Sequence, residues 1–363
     1  MKKFLIFLLL IAAGIFAYLH YREPFSEKYV KAKTMCELAD YNQALPILKK
    51  AVVKFKDKPE YSDAVYWLAK CETAMDPNNI ERWQTVINST KDKAVIMEAR
   101  YFLAKSSNDK IKAMELFIKD YPDSPKSREF IIAIANDAKA KNDIPKMRET
   151  LQMLVDKYGD SPEAKNVLDE LGQMNIAQMF SFKPQPYTIY HTVEKGEYLS
   201  TIARKEKTFV DSIKRINSLS SDRIHQGVKL KIDKSKYLLD IDISDNVLKL
   251  FRLFQDSTNY VKRYSVGTGK NDNTPRGLFK INLKQKEPIW YKPGGKAIPF
   301  GSKENLLGTR WMGIDCPGFG IHGTWDPQSV GMASSAGCVR LVNEDVEELY
   351  DIVPLGTTVK IHD

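Results

Sequence analysis

The chain has 363 residues, a formal net charge of +9, 43% hydrophobic and 28% charged residues. It is too long for one ordinary domain and too apolar for disorder, so two or three folded units are expected, each burying its own core. Lys and Arg are interleaved with Asp and Glu along the whole chain, which argues against a nucleic-acid interface and fits a solvated surface with a general attraction to an anionic membrane or wall.

Lys2 and Lys3 precede an apolar run from Phe4 to Leu19, the pattern of an export signal. Bulky Phe16, Tyr18 and Leu19 stand where a signal peptidase requires small residues, so residues 1–22 read as an uncleaved signal anchor, a membrane helix. The charges at Lys2 and Lys3 place everything after Arg22 outside the cytoplasm, in the cell envelope on the periplasmic face of the inner membrane. Export makes disulfides possible among Cys36, Cys71, Cys316 and Cys338, which allow three complete pairings. Cys36 with Cys71 is one option; two small buried apolar residues is the other.

Residues 23–179 read as helices, with apolar positions three and four apart, as in Tyr41, Ala44, Leu45, Ile47 and Leu48. Tyr66-Trp67-Leu68-Ala69-Lys70 recurs 35 residues later as Tyr101-Phe102-Leu103-Ala104-Lys105, and Leu116 to Pro125 is echoed 38 residues later by Leu154 to Pro162. Such a period suits helix-turn-helix units stacked on one another. The segment resembles the tetratricopeptide-like repeats of envelope proteins, which implies a surface for a protein partner; a spacer that lifts the rest of the chain off the membrane is the alternative. Its repeating aromatics read as packing. Residues 180–186, with Pro184 and Pro186, cannot continue a helix and form a linker.

Residues 187–234 read as a strand turning at Gly196, two short helices and a closing strand from Val228 to Ile232. The block Gly196-Glu197-Tyr198-Leu199-Ser200-Thr201-Ile202-Ala203, the segment Ile216 to Ser220 and the ending Gln226 to Ile232 resemble a lysin motif (LysM). That resemblance implies a small βααβ domain that binds N-acetylglucosamine-containing glycan beside Gly196, Glu197, Tyr198, Leu199, Asn217 and Leu219. His191 reads as a structural or surface residue.

Residues 237–363 alternate in polarity, as in Leu239 to Ile243 and Val247 to Phe251 about a turn at Ser244-Asp245-Asn246, and suggest a sandwich of short strands. Here His322 stands in Gly320-Ile321-His322-Gly323-Thr324, and Cys338 in Ser334-Ser335-Ala336-Gly337-Cys338-Val339-Arg340-Leu341. A thiol is only partly ionised at neutral pH, and an imidazole beside it can take its proton, which is what thiol acyl transfer requires. Gly337 leaves room for a carbonyl substrate, and amides near Gly337 and Cys338 are placed to hold an oxyanion. His322 has no second ligand at zinc spacing, so neither metal nor other cofactor is expected.

With Thr274-Pro275-Arg276-Gly277-Leu278-Phe279, these blocks resemble the L,D-transpeptidase catalytic domain. The resemblance implies Cys338 as nucleophile, His322 as base, the Gly323 carbonyl as the group orienting the imidazole, Ser335 and Gly337 as signature elements, and Arg340 as a contact for a substrate carboxylate or a brace of the loop. Ala336 departs from the more polar residue common there. The implied substrates are peptidoglycan stem peptides: Cys338 attacks the bond between the diamino acid and D-Ala of a tetrapeptide, and the thioester passes to an amine to form a 3→3 cross-link. Water as acceptor would make the enzyme an L,D-carboxypeptidase, and loss of activity would leave a wall-binding scaffold. The whole chain is thus expected to be a multidomain α+β protein.

Overall fold

The computed structural model describes residues 25–292 and 295–363. The expected anchor at residues 1–22 lies outside the described residues, and no described helix is long and apolar enough to cross a membrane. The chain divides into two compact units, the first ending at Ile134 and the second running from Ala135 to Asp363.

The described part of the first unit is helical: α1 (Phe25–Glu37), α2 (Tyr41–Lys54), α3 (Tyr61–Met75), α4 (Glu81–Ser89), α5 (Lys93–Lys105), α6 (Lys110–Asp120) and the start of α7 (Pro125–Ala140). The capping is local, for Asp92 accepts from the amides of Ala94 and Val95, and Asp109 from that of Lys112. The two copies of the Tyr-aromatic-Leu-Ala-Lys block lie in α3 and α5 and use the same device. The Tyr66 hydroxyl donates to Glu98 at 2.6 Å and the Tyr101 hydroxyl to Glu129 at 2.6 Å, each reaching a later helix. Lys70 and Lys105 lie over the rings of those two tyrosines. Cys36 and Cys71 are buried free thiols in one apolar core, and Cys316 and Cys338 are free thiols that are partly buried.

In the second unit, α8 (Ile144–Tyr158) and α9 (Pro162–Met179) follow the end of α7. Ser161 caps α9 ahead of Pro162 at its first turn. Next come β1 (Thr188–Thr192), α10 (Leu199–Lys205), α11 (Val210–Ile216) and β2 (Lys229–Asp233), the βααβ order expected from the sequence. β1 and β2 pair antiparallel, with His191 opposite Leu230, over a core of Leu199, Ile202, Ile213, Leu230 and Ile232.

The remaining strands are β3 (Lys236–Asp242), β4 (Val247–Phe254), β5 (Ser257–Ser265), β6 (Thr268–Gly269), β7 (Gly277–Lys286), β8 (Trp290–Tyr291), β9 (Ala297–Ile298), β10 (Arg310–Ile314), β11 (Gly320–His322), β12 (Ala333–Ser335), β13 (Val339–Arg340) and β14 (Thr358–His362), with α12 (Asn343–Ile352) before the last. Alternation builds the sheet: Leu239 and Ile241 of β3 and Leu248 and Leu250 of β4 turn inward. Where the sequence suggests a sandwich, eight of these strands make one hydrogen-bonded order, β13-β11-β10-β7-β14-β3-β4-β5, while β12 pairs with β6 and β8 with β9 in two small separate sheets. β7 serves both halves, pairing with β14 through Gly277 to Lys280 and with β10 through Ile281 to Lys286.

Helices α8 and α9 differ from the expected domain boundary at residue 179, because they group with the sheet rather than with the preceding helices. They cover the β5 edge, which would otherwise present open backbone groups. Gln152 donates to the Tyr260 carbonyl at 3.0 Å, Asn175 to those of Tyr260 and Val261 at 3.1 and 3.2 Å, and Arg263 meets Asp169 through two 2.7 Å bonds. Ile176 and Met179 of α9 join the core of the sheet. The linker after α9 is pinned as well. Lys231 of β2, fully buried, donates its ammonium to the carbonyls of Met179 and Ser181 at 3.3 and 2.8 Å, and so caps the helix C-terminus.

Replacing Asn175 with Ala removes the side-chain donor to the Val261 carbonyl and leaves Gln152 alone on that of Tyr260. Urea denaturation of the Asn175→Ala protein is expected to show a loss of about 1–3 kcal/mol with little change in the slope against denaturant.

Candidate active site

β11 and β13 are adjacent and parallel, with Ile321 opposite Val339 and His322 opposite Arg340. Residues two apart on a strand share a face, so Gly320 and His322 on one side, and Cys338 and Arg340 on the other, turn to the same face. Sixteen residues of intervening chain are closed by this pairing, which brings the predicted base and nucleophile to one place.

His322 is 3% exposed, its ring stacked on Trp311 with centroids 5.7 Å apart. The Gly323 carbonyl oxygen lies 2.7 Å from Nδ1. If Nδ1 carries the proton of the neutral ring, it donates there and leaves Nε2 as the basic nitrogen. Burial pulls the imidazole down to about 4 and the charge of Arg340 adds to this, against the opposing pull of the Gly323 and Leu307 carbonyls. Cys338 is half-buried. Burial pushes its thiol above the usual range, although the Gly320 backbone and Arg340 pull the other way. Its sulfur sits 3.7 Å from the Gly318 carbonyl oxygen and makes no hydrogen bond to His322. Both burial effects favour the neutral thiol and the neutral ring over a thiolate–imidazolium pair.

The loop before Cys338 is held by Ser335. Its hydroxyl accepts from the Gly337 amide at 2.9 Å and donates to the Cys338 carbonyl at 2.7 Å, and the side chain is buried. The Gly337 amide is thus engaged within the loop. Gly337 itself has φ +141°, and a Cβ there would stand 2.5 Å from the Phe319 ring and 2.9 Å from the Asn273 carbonyl oxygen. Arg340 is fixed by two 2.8 Å backbone bonds to Gly267, and its Nε is buried with no hydrogen-bond partner among the described residues. Ala336 is exposed.

Sequence reasoning missed Asn343. Its side-chain oxygen accepts from the Thr309 amide at 3.1 Å, and Gly308 and Gly323 pack so closely on it that a Cβ on either would stand 2.4 or 2.3 Å away. It thereby locks the loop before β10 against the residue after His322. The signal was its place five residues after Cys338 in the same block. Trp311, in β10, and Phe319, just before β11, were missed too, because an aromatic in a strand-rich region reads first as core.

In the βααβ domain, Gly196 and Tyr198 are exposed, Tyr198 at 70%. Leu199 is buried in the domain core and Leu219 is packed against it. The Asn217 side chain donates to the carbonyls of Ile213 and Lys231 and accepts from the Lys231 amide, tying α11 to β2. Glu197 accepts from the Glu194 amide and bonds His191, both at 2.8 Å, which hold its carboxyl down at about 2. His191 is buried between Glu197 and Glu206; burial opposes its protonated form, yet the two carboxylates raise it above the ordinary value. Among the described residues no His, Cys, Asp and Glu cluster suits a metal ion.

A thiol and a buried imidazole on one face of a mainly-β domain define a cysteine acyltransferase. Residues 236–361 match the YkuD L,D-transpeptidase catalytic domain and residues 191–233 match the LysM domain. The chain is 33% identical over 181 residues to the putative L,D-transpeptidase YkuD of Bacillus licheniformis, covering 48% of this chain and 98% of that protein. It is 44% identical over 106 residues to the putative L,D-transpeptidase YqjB of Bacillus subtilis, covering 28% of this chain and 58% of that protein. Among solved structures, an L,D-transpeptidase from Mycobacterium smegmatis is similar at 23% identity and TM-score 0.30, over 38% of this chain and 64% of that one. The chain belongs to the YkuD family of L,D-transpeptidases.

Gly337→Ala forces a side chain into a backbone region reserved for glycine and into the Phe319 ring. Thiol capture at residue 338 is expected to fall at least about tenfold, with a stability loss of about 1–3 kcal/mol, read by alkylation kinetics and thermal melting. The neutral pair sets the pH response. Alkylation of Cys338 should climb steadily with pH through 7 to 9 and show no plateau at neutrality; a plateau below pH 7 would mean a standing thiolate. His322 folds at about 4 against an ordinary 6.5, so its contribution to stability is complete above pH 6.5 and is lost as pH falls through 4. At about 1.4 kcal/mol per unit, that amounts to roughly 3 kcal/mol, and a His322→Gln protein should lose correspondingly less on acidification.

Proposed function

We propose that the protein is a peptidoglycan L,D-transpeptidase of the cell envelope, with Cys338 as nucleophile and His322 as base. The observation that carries this reading is the parallel pairing of β11 with β13, which turns a half-buried thiol and a buried, neutral imidazole to one face. Cys338 attacks the carbonyl joining the diamino acid to the terminal D-Ala of a tetrapeptide stem. His322 takes the thiol proton and returns it to the departing D-Ala amine, leaving a thioester. The side-chain amine of a second stem then attacks the thioester, forming a 3→3 cross-link and restoring the thiol.

With the Gly337 amide engaged by Ser335, the Cys338 amide is the remaining donor for the oxyanion. Arg340, whose Nε lacks a partner, is suited to a carboxylate of the stem. The LysM domain binds glycan through the exposed edge around Gly196 and Tyr198, while Leu199, Asn217, Leu219 and Glu197 shape that edge from within. Residues 1–22 anchor the chain to the inner membrane, and the helices of the first unit are a surface for an envelope protein partner.

Intact-mass measurement with a carbapenem is expected to add one acyl group to the wild type and none to Cys338→Ala. Incubation with tetrapeptide muropeptides, read by mass, should yield cross-linked dimers with loss of D-Ala; tripeptides alone would mean that water is the acceptor.

A further inference from the structure

A cleft of about 470 Å³ opens between the LysM domain and the catalytic sheet, lined by Lys214 and Arg215 of α11, Lys286 of β7, Arg310 of β10, and the acids Asp211 and Asp351. Four cations face two carboxylates. Lys286 is bonded to Asp211 at 2.5 Å, and Lys214 turns to Asp222 outside the cleft at 2.6 Å. Arg215 lies over the Phe180 ring and Arg310 stands 3.6 Å from Glu347, with its buried Nε lacking any partner among the described residues. Burial, with Asp211 nearby, raises Asp351 above the ordinary carboxylate value. The cleft is therefore cationic, with one guanidinium incompletely satisfied.

This is not the site of chemistry. Arg310 and Met312 turn to the α12 face of the sheet, where Arg310 lies by Glu347 and the Tyr350 ring and Met312 enters the core with Val346 and Leu349. Trp311, between them, turns to the opposite face and stacks on His322. The other wall of the cleft includes Ser218 and Leu219, at the end of α11 where the LysM resemblance sets its glycan groove.

We propose that this cleft is a second, non-catalytic binding site that holds the carboxylate of a stem peptide on the glycan strand carried by the LysM domain. The inference rests on the glycan-binding reading of that domain. A guanidinium fork matches a planar carboxylate in a way an ammonium does not. The two acids in the lining suit a singly charged group and disfavour a polyphosphate chain, which would bring repeated negative charge against them.

The test uses the full chain and sedimentation with insoluble peptidoglycan in three forms: native wall, wall freed of phosphate polymers by hydrofluoric acid, and the freed wall after an amidase has removed the stems. Wild type should bind the stem-bearing, polymer-free wall roughly five- to tenfold more tightly than the denuded glycan. Arg215→Gln and Arg310→Gln should erase most of that difference without changing binding to denuded glycan, and Arg310→Lys should keep part of it. Carbapenem acylation of Cys338 at the wild-type rate shows that each variant is folded. Equal binding of wild type and both Gln variants to the stem-bearing wall overturns the cleft alone. A variant effect confined to native wall assigns the cleft to phosphate polymer and overturns the carboxylate. Failure of the wild type to bind denuded glycan overturns the LysM reading and, with it, the coupling proposed here.

Discussion

The two-residue pairing of β11 with β13 is the constraint on which the chemistry depends. It is short, and the parallel connection that closes it runs through a loop rather than a helix, so little of its strength is its own. Support comes from around it. Ser335 clamps the turn into β13 from one side, Gly267 bonds Arg340 from another, and Asn343 fastens the residue after His322 to the loop before β10. The position of Cys338 is thus held mainly by backbone groups and small side chains.

Electrostatically both candidate partners are held toward their uncharged forms. Burial favours the uncharged form of both partners, and Arg340, the one charge that acts on both, pushes thiol and imidazole in the same downward direction. A cation so placed helps the thiolate and hinders the imidazolium. On the thiol this opposes the effect of burial, and on the ring it adds to it.

Much of this was legible from residue order. The βααβ module, the His and Cys blocks and the β3–β4 hairpin all follow from local pattern, since turns, alternation and glycine-flanked His and Cys residues are short-range signals. The grouping of α8 and α9 with the sheet was not legible: their amphipathic spacing is that of the preceding helices, and what sets them apart is bonding from Gln152 and Asn175 to a strand about a hundred residues away. The pull of both groups toward neutrality was hidden for a similar reason, because burial of His322 depends on Trp311 and on strand pairing that no motif states. Leu199 and Asn217 show the limit of motif transfer, for positions that mark a domain also include the ones that build its core.

Lys231 places an ammonium with no exposed surface against the last carbonyls of a helix, and the Pro-rich segment that should have been a tether is held down by it. A carbohydrate module on a loose tether samples many directions and merely raises the local supply of substrate. One welded in place instead acts as a jig: whatever it grips is held at one angle and distance to the sheet that follows it in the chain.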